Sequence, residues 1–177
     1  RDSVMAGPTC GRMLADMGAD VIKVERVPDG DDTRRFLPPD IAGESAAYMM
    51  MNRNKRGVAI DLKKTEGKEV LLRMLANADV IIENFRPGAA ARLGFGYKDV
   101  AARNPGINYG SISGFGDTGP GAKRPGYDLV IQGESGIMDI TGDPDSPPTK
   151  MGTSIADMVA GMTVSYTHLT LPTTEAV

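Results

Sequence analysis

Asp157 stands in a run of small and apolar residues, Gly152-Thr153-Ser154-Ile155-Ala156-Asp157-Met158-Val159-Ala160-Gly161, with few cations near it in sequence. A carboxylate in such surroundings is costly unless it is hydrogen-bonded or takes part in chemistry. Two readings follow, a cap at the start of a helix and a catalytic group. Few other side chains compete for the chemistry. The chain has one Cys, Cys10, and one His, His168. A Ser-His-Asp or Cys-His arrangement would have to be built around His168, and a two-His metal site is impossible. A single Cys also excludes an internal disulfide framework and a Cys-clustered zinc site, which fits a reducing compartment.

Several segments have the composition of a ligand site. Asn84-Phe85-Arg86-Pro87-Gly88 follows a predicted strand, where open α/β sheets place their ligands. An Asn with an exposed aromatic there suits a flat heterocycle, and a plain strand-to-helix turn would read the same way. Arg26, the Arg34-Arg35 pair, and Arg53, Lys55 and Arg56 form local basic clusters. They fit either a solvated face or a site for phosphate-bearing ligands. Ala6-Gly7-Pro8-Thr9 adds a helix start, which favours anions. Gly114-Phe115-Gly116-Asp117-Thr118-Gly119 has the spacing of a dinucleotide fingerprint, but Pro120, Gly121 and Pro125 follow where that motif needs a helix. It reads as a loop whose backbone a ligand can approach closely.

The whole chain is globular in composition. Its 177 residues, 41% hydrophobic and 24% charged, can bury a core, so wholesale disorder is excluded. The net charge of −3 argues against non-specific nucleic-acid binding. No apolar run reaches the ~18 residues of a spanning helix, and no signal peptide is visible, so a cytoplasmic protein without membrane contact is expected. With 22 Gly and 12 Pro outside any repeat, the chain should contain many tight turns.

Elements that would position these residues are legible. Val21 to Glu25, Val58 to Leu62, Val80 to Phe85 and Ile107 to Ser113 read as short strands. Cys10, Met13, Leu14 and Met17 give a helical stripe, with Pro8 to start it and Gly18 to stop it. Thr65 is placed to cap a second helix whose inward face is Val70, Leu71, Met74, Leu75 and Ala78. Met49-Met50-Met51 beside Tyr48 reads as core or an adaptable apolar wall. This alternation predicts an α/β fold, a Rossmann-like doubly wound parallel sheet. Residues 1–164 are expected to form a partial domain lacking most of its first strand. Residues 165–177, Thr-rich and without helical period, read as an atypical and foreign tail, the alternative being a natural loop-like terminus.

Taken together, six segments resemble the class III CoA-transferases of the CaiB/BaiF type, a family that includes formyl-CoA and carnitine CoA-transferases and α-methylacyl-CoA racemases. They are Ala6-Gly7-Pro8, Gly18-Ala19-Asp20-Val21-Ile22-Lys23-Val24-Glu25, Asn52-Arg53-Asn54-Lys55-Arg56, Glu83 to Gly88, Gly126-Tyr127-Asp128 and Ile155-Ala156-Asp157. Their order and spacing carry the resemblance from about Val4 to Gly161.

The resemblance implies that Asp157 is a nucleophile that attacks an acyl-CoA thioester and passes through aspartyl anhydride and aspartyl-CoA intermediates. It implies CoA contacts at Val4, Met5, Ala6, Arg26, Ile60, Asn84, Phe85, Arg92, Leu93 and Tyr127, with Arg124 a further phosphate contact. Coenzyme A and acyl-CoA enter as substrates, and no tightly bound cofactor or metal is implied. Backbone N–H groups of a glycine loop would stabilise the oxyanions. Racemases resemble Gly-His-Asp where this chain has Gly126-Tyr127-Asp128. Tyr127, with an ordinary pKa of ~10, is a poor proton shuttle, so the transferase branch is favoured over the racemase branch. A non-catalytic CoA-binding module, with Asp157 only a helix cap, is the reading from a different class. Members are longer and form interlocked homodimers, so the segment alone is expected to be inactive.

Overall fold

The computed structural model describes residues 5–170. The first helix, α1 (Ala6–Asp16), ends where Gly18 takes a left-handed φ of +101°, a conformation that costs glycine little. Its buried face is Ala6, Thr9, Cys10, Gly11 and Ala15, and Met17 of the expected stripe is exposed. The small residues are buried because another helix lies directly on α1.

Two parallel strand pairs follow. β1 (Val21–Glu25) pairs with β4 (Lys55–Ala59), Val21 opposite Lys55 and Glu25 opposite Ala59. β5 (Val80–Glu83) pairs with β6 (Asn108–Ser111), Val80 opposite Asn108. Between β1 and β4 lie a 3₁₀ turn (Asp32–Arg35), a short antiparallel hairpin of β2 (Asp40–Ile41) and β3 (Glu44–Ser45), and α2 (Ala46–Asn52). The expected α/β class with parallel strands is present. Among the described residues, however, the strands are hydrogen-bonded as separate pairs. α1 packs against β1, β4 and β5 and so spans both.

β4 lies three residues earlier than the β-branched run suggested. Ile60 N–H still donates to Glu25 O, but Asp61 then accepts from the N–H groups of Lys63 and Lys64 and turns the chain into α3 (Thr65–Leu75). Lys64 is the helix's N-cap position and Thr65 its first residue. Leu71 and Leu75 form the core with Ala90 of α4 (Ala89–Leu93), Phe95, Val100 of α5 (Tyr97–Ala101) and Ile107. Val24, Ile81 and Tyr109 of the strands pack against it. Of the three consecutive methionines, Met51 is buried, while Met49 and Met50 are exposed.

The basic clusters are largely neutralised. Arg26 pairs with Asp32, Arg35 with Asp29, Arg53 with Asp16 and Arg56 with Asp20. Lys55 is half-buried and donates to Pro8 O, Met51 O and Asn52 Oδ1 at 2.7, 2.8 and 3.1 Å, which ties α2 to α1. Burial, with Lys23 nearby, lowers its pKa to about 7.

Arg34 holds the buried Glu25 from two sides, Nε to Oε2 at 2.8 Å and Nη2 to Oε1 at 2.9 Å. The Tyr48 hydroxyl and the Asp31 N–H also donate to this carboxylate. Burial alone would raise its pKa, but the hydrogen bonds from Arg34, Tyr48 and Asp31 overcome it and hold Glu25 at about 2. The folded pKa is depressed, so the stabilisation is complete above the unfolded value of ~4.5 and is lost as pH falls toward 2. Urea unfolding at pH 6 and pH 3 is expected to show an acid loss on the order of 2 kcal/mol from this group. Glu25→Gln should lower stability at pH 6 and remove that part of the pH dependence.

After β6 a long loop leads to α6 (Asp128–Glu134) and then α7 (Ile155–Thr170). The chain expected to lose helical period at Ser165 is helical as far as Thr170. Ser165 and Thr167 turn their hydroxyls back onto Met162 O and Thr163 O, so these side chains are satisfied within the helix and do not break it. α7 packs along α1, and Ser165 Oγ lies 3.5 Å from Met13 Sδ. Cys10 is enclosed near this contact. Burial pushes its thiol up to about 11, against the opposing effect of Lys55. At pH 8 it is expected to resist a thiol reagent in the native chain and to react fully in urea.

Candidate active site

The carboxyl ends of β5 and β6 open toward the first turn of α7, and a hollow of about 170 Å³ lies between them. Its floor is Asn84 to Pro87 after β5 and Ile112 to Gly114 after β6. Its walls are Ala6 of α1, Arg124 to Tyr127, Ile131, and Ala156, Asp157 and Ala160 of α7. Crevices at the carboxyl ends of parallel strands are where this class of fold takes ligands.

Local interactions fix each wall. Glu83 Oε2 accepts from Phe85 N–H at 2.8 Å and sets the turn after β5. Asn84 lies against α1, where a Cβ on Gly7 would come within 3.2 Å of its amide. Gly114 and Gly126 cross backbone to backbone, so a Cβ on Gly114 would lie 2.4 Å from Gly126 Cα. Only glycine allows the two loops this approach. Arg124 stacks 4.3 Å over the Phe115 ring and pairs with Glu134 at 2.6 Å.

Asp157 is half-buried in the first turn of α7. Asp128 Oδ1 accepts from Ala156 N–H at 2.8 Å and Asp157 N–H at 3.3 Å. Asp128 thus satisfies two of the backbone donors that a helix start leaves open. Asp128, from a different helix, therefore acts as a cap for α7.

The hollow brings together Ala6, Asn84, Phe85, Arg124, Tyr127 and Asp157 of the expected site residues. Met5 precedes α1 but does not line it. Arg26 lines a second hollow of about 370 Å³ with Glu25, Arg34 and residues 57–59 of β4. Ile60 is buried beside the Asp61 turn. Arg92 reaches back over Gly88, and Leu93 packs on the core. Phe85, expected to be exposed, is half-buried and meets Phe95 edge-on at 5.7 Å. Val4 lies outside the described residues. His168 is not in the hollow; it packs over Gly110. The fingerprint-like glycines from Gly114 to Gly119 form a loop with no helix opening at Gly119. No group of three or more His, Cys, Asp or Glu suited to a metal occurs among the described residues. No helix among them is long and apolar enough to cross a membrane.

Sequence reasoning missed Gln132 and the lining residue Ser113, and it named Arg86 only as part of the segment after β5. Gln132 follows Asp128 by four residues, the spacing of neighbours on one helix face, and that was the available signal.

The model of CoA-transferase family III matches residues 2–170. This chain belongs to that family. It is 48% identical over 165 residues to the succinate–glutarate CoA-transferase of Agrobacterium fabrum, covering 90% of this chain and 41% of the relative. It is 44% identical over 160 residues to the acetyl-CoA:oxalate CoA-transferase of Acetobacter aceti, covering 90% of this chain and 41% of that protein. A crystal structure of a CAIB/BAIF family protein from Brucella suis superposes with a TM-score of 0.86 at 48% identity, covering 94% of this chain and 46% of that one. The α/β class expected from the sequence is therefore that of the family. The chain spans about two-fifths of the length of the curated relatives it matches.

Proposed function

We propose that this segment carries the nucleophile of a CoA-transferase that moves CoA from an acyl-CoA to a short dicarboxylic acid. The observation that carries this reading is the placement of Asp157 in one hollow with Asn84, Phe85 and Tyr127 at the carboxyl ends of two parallel strands. In outline, the Asp157 carboxylate attacks the thioester carbonyl. The C–S bond breaks, CoA leaves as thiolate, and a mixed anhydride remains. The thiolate then attacks the aspartyl carbonyl and expels the donor acid as carboxylate. The acceptor carboxylate attacks the resulting aspartyl-CoA thioester, and the thiolate released takes the acceptor acyl group, which frees Asp157. The route divides one difficult exchange into a series of easier acyl transfers, and the overall reaction trades one thioester for another.

The hollow is below the roughly 300–1,000 Å³ of a drug-sized site, so it suits the reacting end of an acyl-CoA and not its nucleotide. The exposed Arg86 lines it as a cation for the acids that enter and leave, whereas the Arg124 guanidinium is already paired with Glu134. The relatives named for succinate, glutarate and oxalate support a dicarboxylic substrate. Tyr127 stands where the resemblance places the racemases' His, which supports transfer over racemisation.

The test uses the full-length protein that carries this segment. It is incubated with succinyl-CoA or another acyl-CoA, quenched with hydroxylamine and digested for peptide mass spectrometry. A hydroxamate on Asp157 that needs acyl-CoA is expected. An unmodified Asp157 in a protein that still binds CoA would remove the reading.

A further inference from the structure

Gln132 is a buried amide, 1% exposed, and its polar atoms are all engaged. Its Oε1 accepts from Met151 N–H at 2.9 Å, and its Nε2 donates to Asp128 Oδ2 at 2.6 Å and to Thr153 O at 3.3 Å. The other oxygen of Asp128 takes the Ala156 and Asp157 N–H groups. One amide and one carboxylate, a helical turn apart on α6, therefore hold four points of the 151–157 segment. That segment delivers Asp157 into the hollow.

The arrangement does more than end a helix. An unpaired helix start offers its N–H groups to the nearest anion and favours negative charge there. Here Asp128 occupies two of those donors, one of them on Asp157 itself. The backbone at residue 157 is thereby tied to α6, which sets where the Asp157 side chain leaves the helix.

We propose that Asp128 and Gln132 are positioning residues that fix the direction in which Asp157 faces its substrate. The inference rests on the nucleophilic reading of Asp157. It predicts a donor–acceptor logic that can be inverted. In Asp128→Asn, an Nδ2 group confronts the Gln132 amide donor. In Gln132→Glu, two carboxylates meet at the same contact. In the double variant Asp128→Asn with Gln132→Glu, the Asn amide donates to the Glu carboxylate and every hydrogen bond but the 3.3 Å contact to Thr153 O is restored.

The test measures the rate of hydroxylamine-trapped adduct on residue 157 of the full-length protein, CoA affinity, and amide hydrogen exchange in residues 151–157. Each single variant is expected to slow adduct formation by about tenfold or more while CoA affinity stays within about twofold. The double variant should return to within about threefold of the parent rate. Gln132→Glu should also regain rate as the pH falls, because one proton shared by the two carboxyls restores the donor. Singles that trap at the parent rate would overturn the proposal. So would a double variant no faster than the singles, or a loss of CoA affinity in step with the adduct. If the parent protein forms no adduct at Asp157, the nucleophilic reading fails instead, and faster exchange in the singles with recovery in the double still reports the brace.

Discussion

Asp157→Asn is expected to reduce acyl transfer by about a thousandfold or more, the scale seen when a covalent nucleophile is removed. The substitution keeps the size of the side chain and leaves the backbone N–H that bonds to Asp128 in place. The fold and the affinity for CoA should therefore be retained, and only the trapped adduct and the turnover should disappear. Steady-state transfer between acyl-CoA and glutarate or oxalate, with CoA binding measured alongside, checks this in the full-length protein. Turnover within tenfold of the parent would show that the carboxylate is not the attacking group.

Gly161→Ala should be strongly damaging to the seam between α1 and α7. A Cβ at Gly161 would lie 2.4 Å from Ala6 O, 2.8 Å from Thr9 Cβ and 3.1 Å from Cys10 N. Two of these are backbone atoms, so no rotamer change relieves the contact. Alanine gains about 1 kcal/mol of intrinsic helix preference over glycine, but the overlap should outweigh it and leave a net loss of about 2 kcal/mol. Gly161 is one turn after Asp157 on the same helix, and Ala6 lines the same hollow. Separating α1 from α7 thus moves Asp157 as well. Thermal unfolding and the trapping rate should both fall. Gly133→Ala on α6, where the nearest atom to a Cβ is Met138 Sδ at 3.7 Å, should be neutral or slightly stabilising.

What could be read from the sequence follows the range of the forces involved. β1 was legible to the residue because a short β-branched run between Asp20 and Arg26 has a local cause. β4 was misplaced because its ladder uses Lys55 and Arg56, whose polar side chains look like linker. Asp157 stood out through its apolar surroundings, and Asn84 and Phe85 through their place after a strand. The contacts of Asp128 and Gln132 with residues 151–157 were not legible, because those partners lie 19 to 29 residues away. The basic clusters misled in the same way. The partners of Arg53 and Arg56, Asp16 and Asp20, are 36 to 37 residues distant, whereas Arg26 and Arg35 pair with Asp32 and Asp29 only six residues away. Helix α7 ran on through Ser165 because hydroxyl-to-carbonyl bonds within the helix offset the low propensity of its Ser and Thr residues.

The separation between core and site along the chain has a kinetic consequence. The buried cluster from Leu71 to Ile107 is drawn from fewer than forty consecutive residues. The α1–α7 contact, by contrast, joins residues as far apart as Met13 and Ser165, 152 positions along the chain. Contacts of short sequence range close quickly, whereas a loop of that span must be shut before its packing is rewarded. The hydrophobic centre can therefore consolidate while the hollow around Asp157 is still open. The geometry around Asp157 is therefore expected to be the last property acquired during folding, and partial unfolding to remove it before the core is touched.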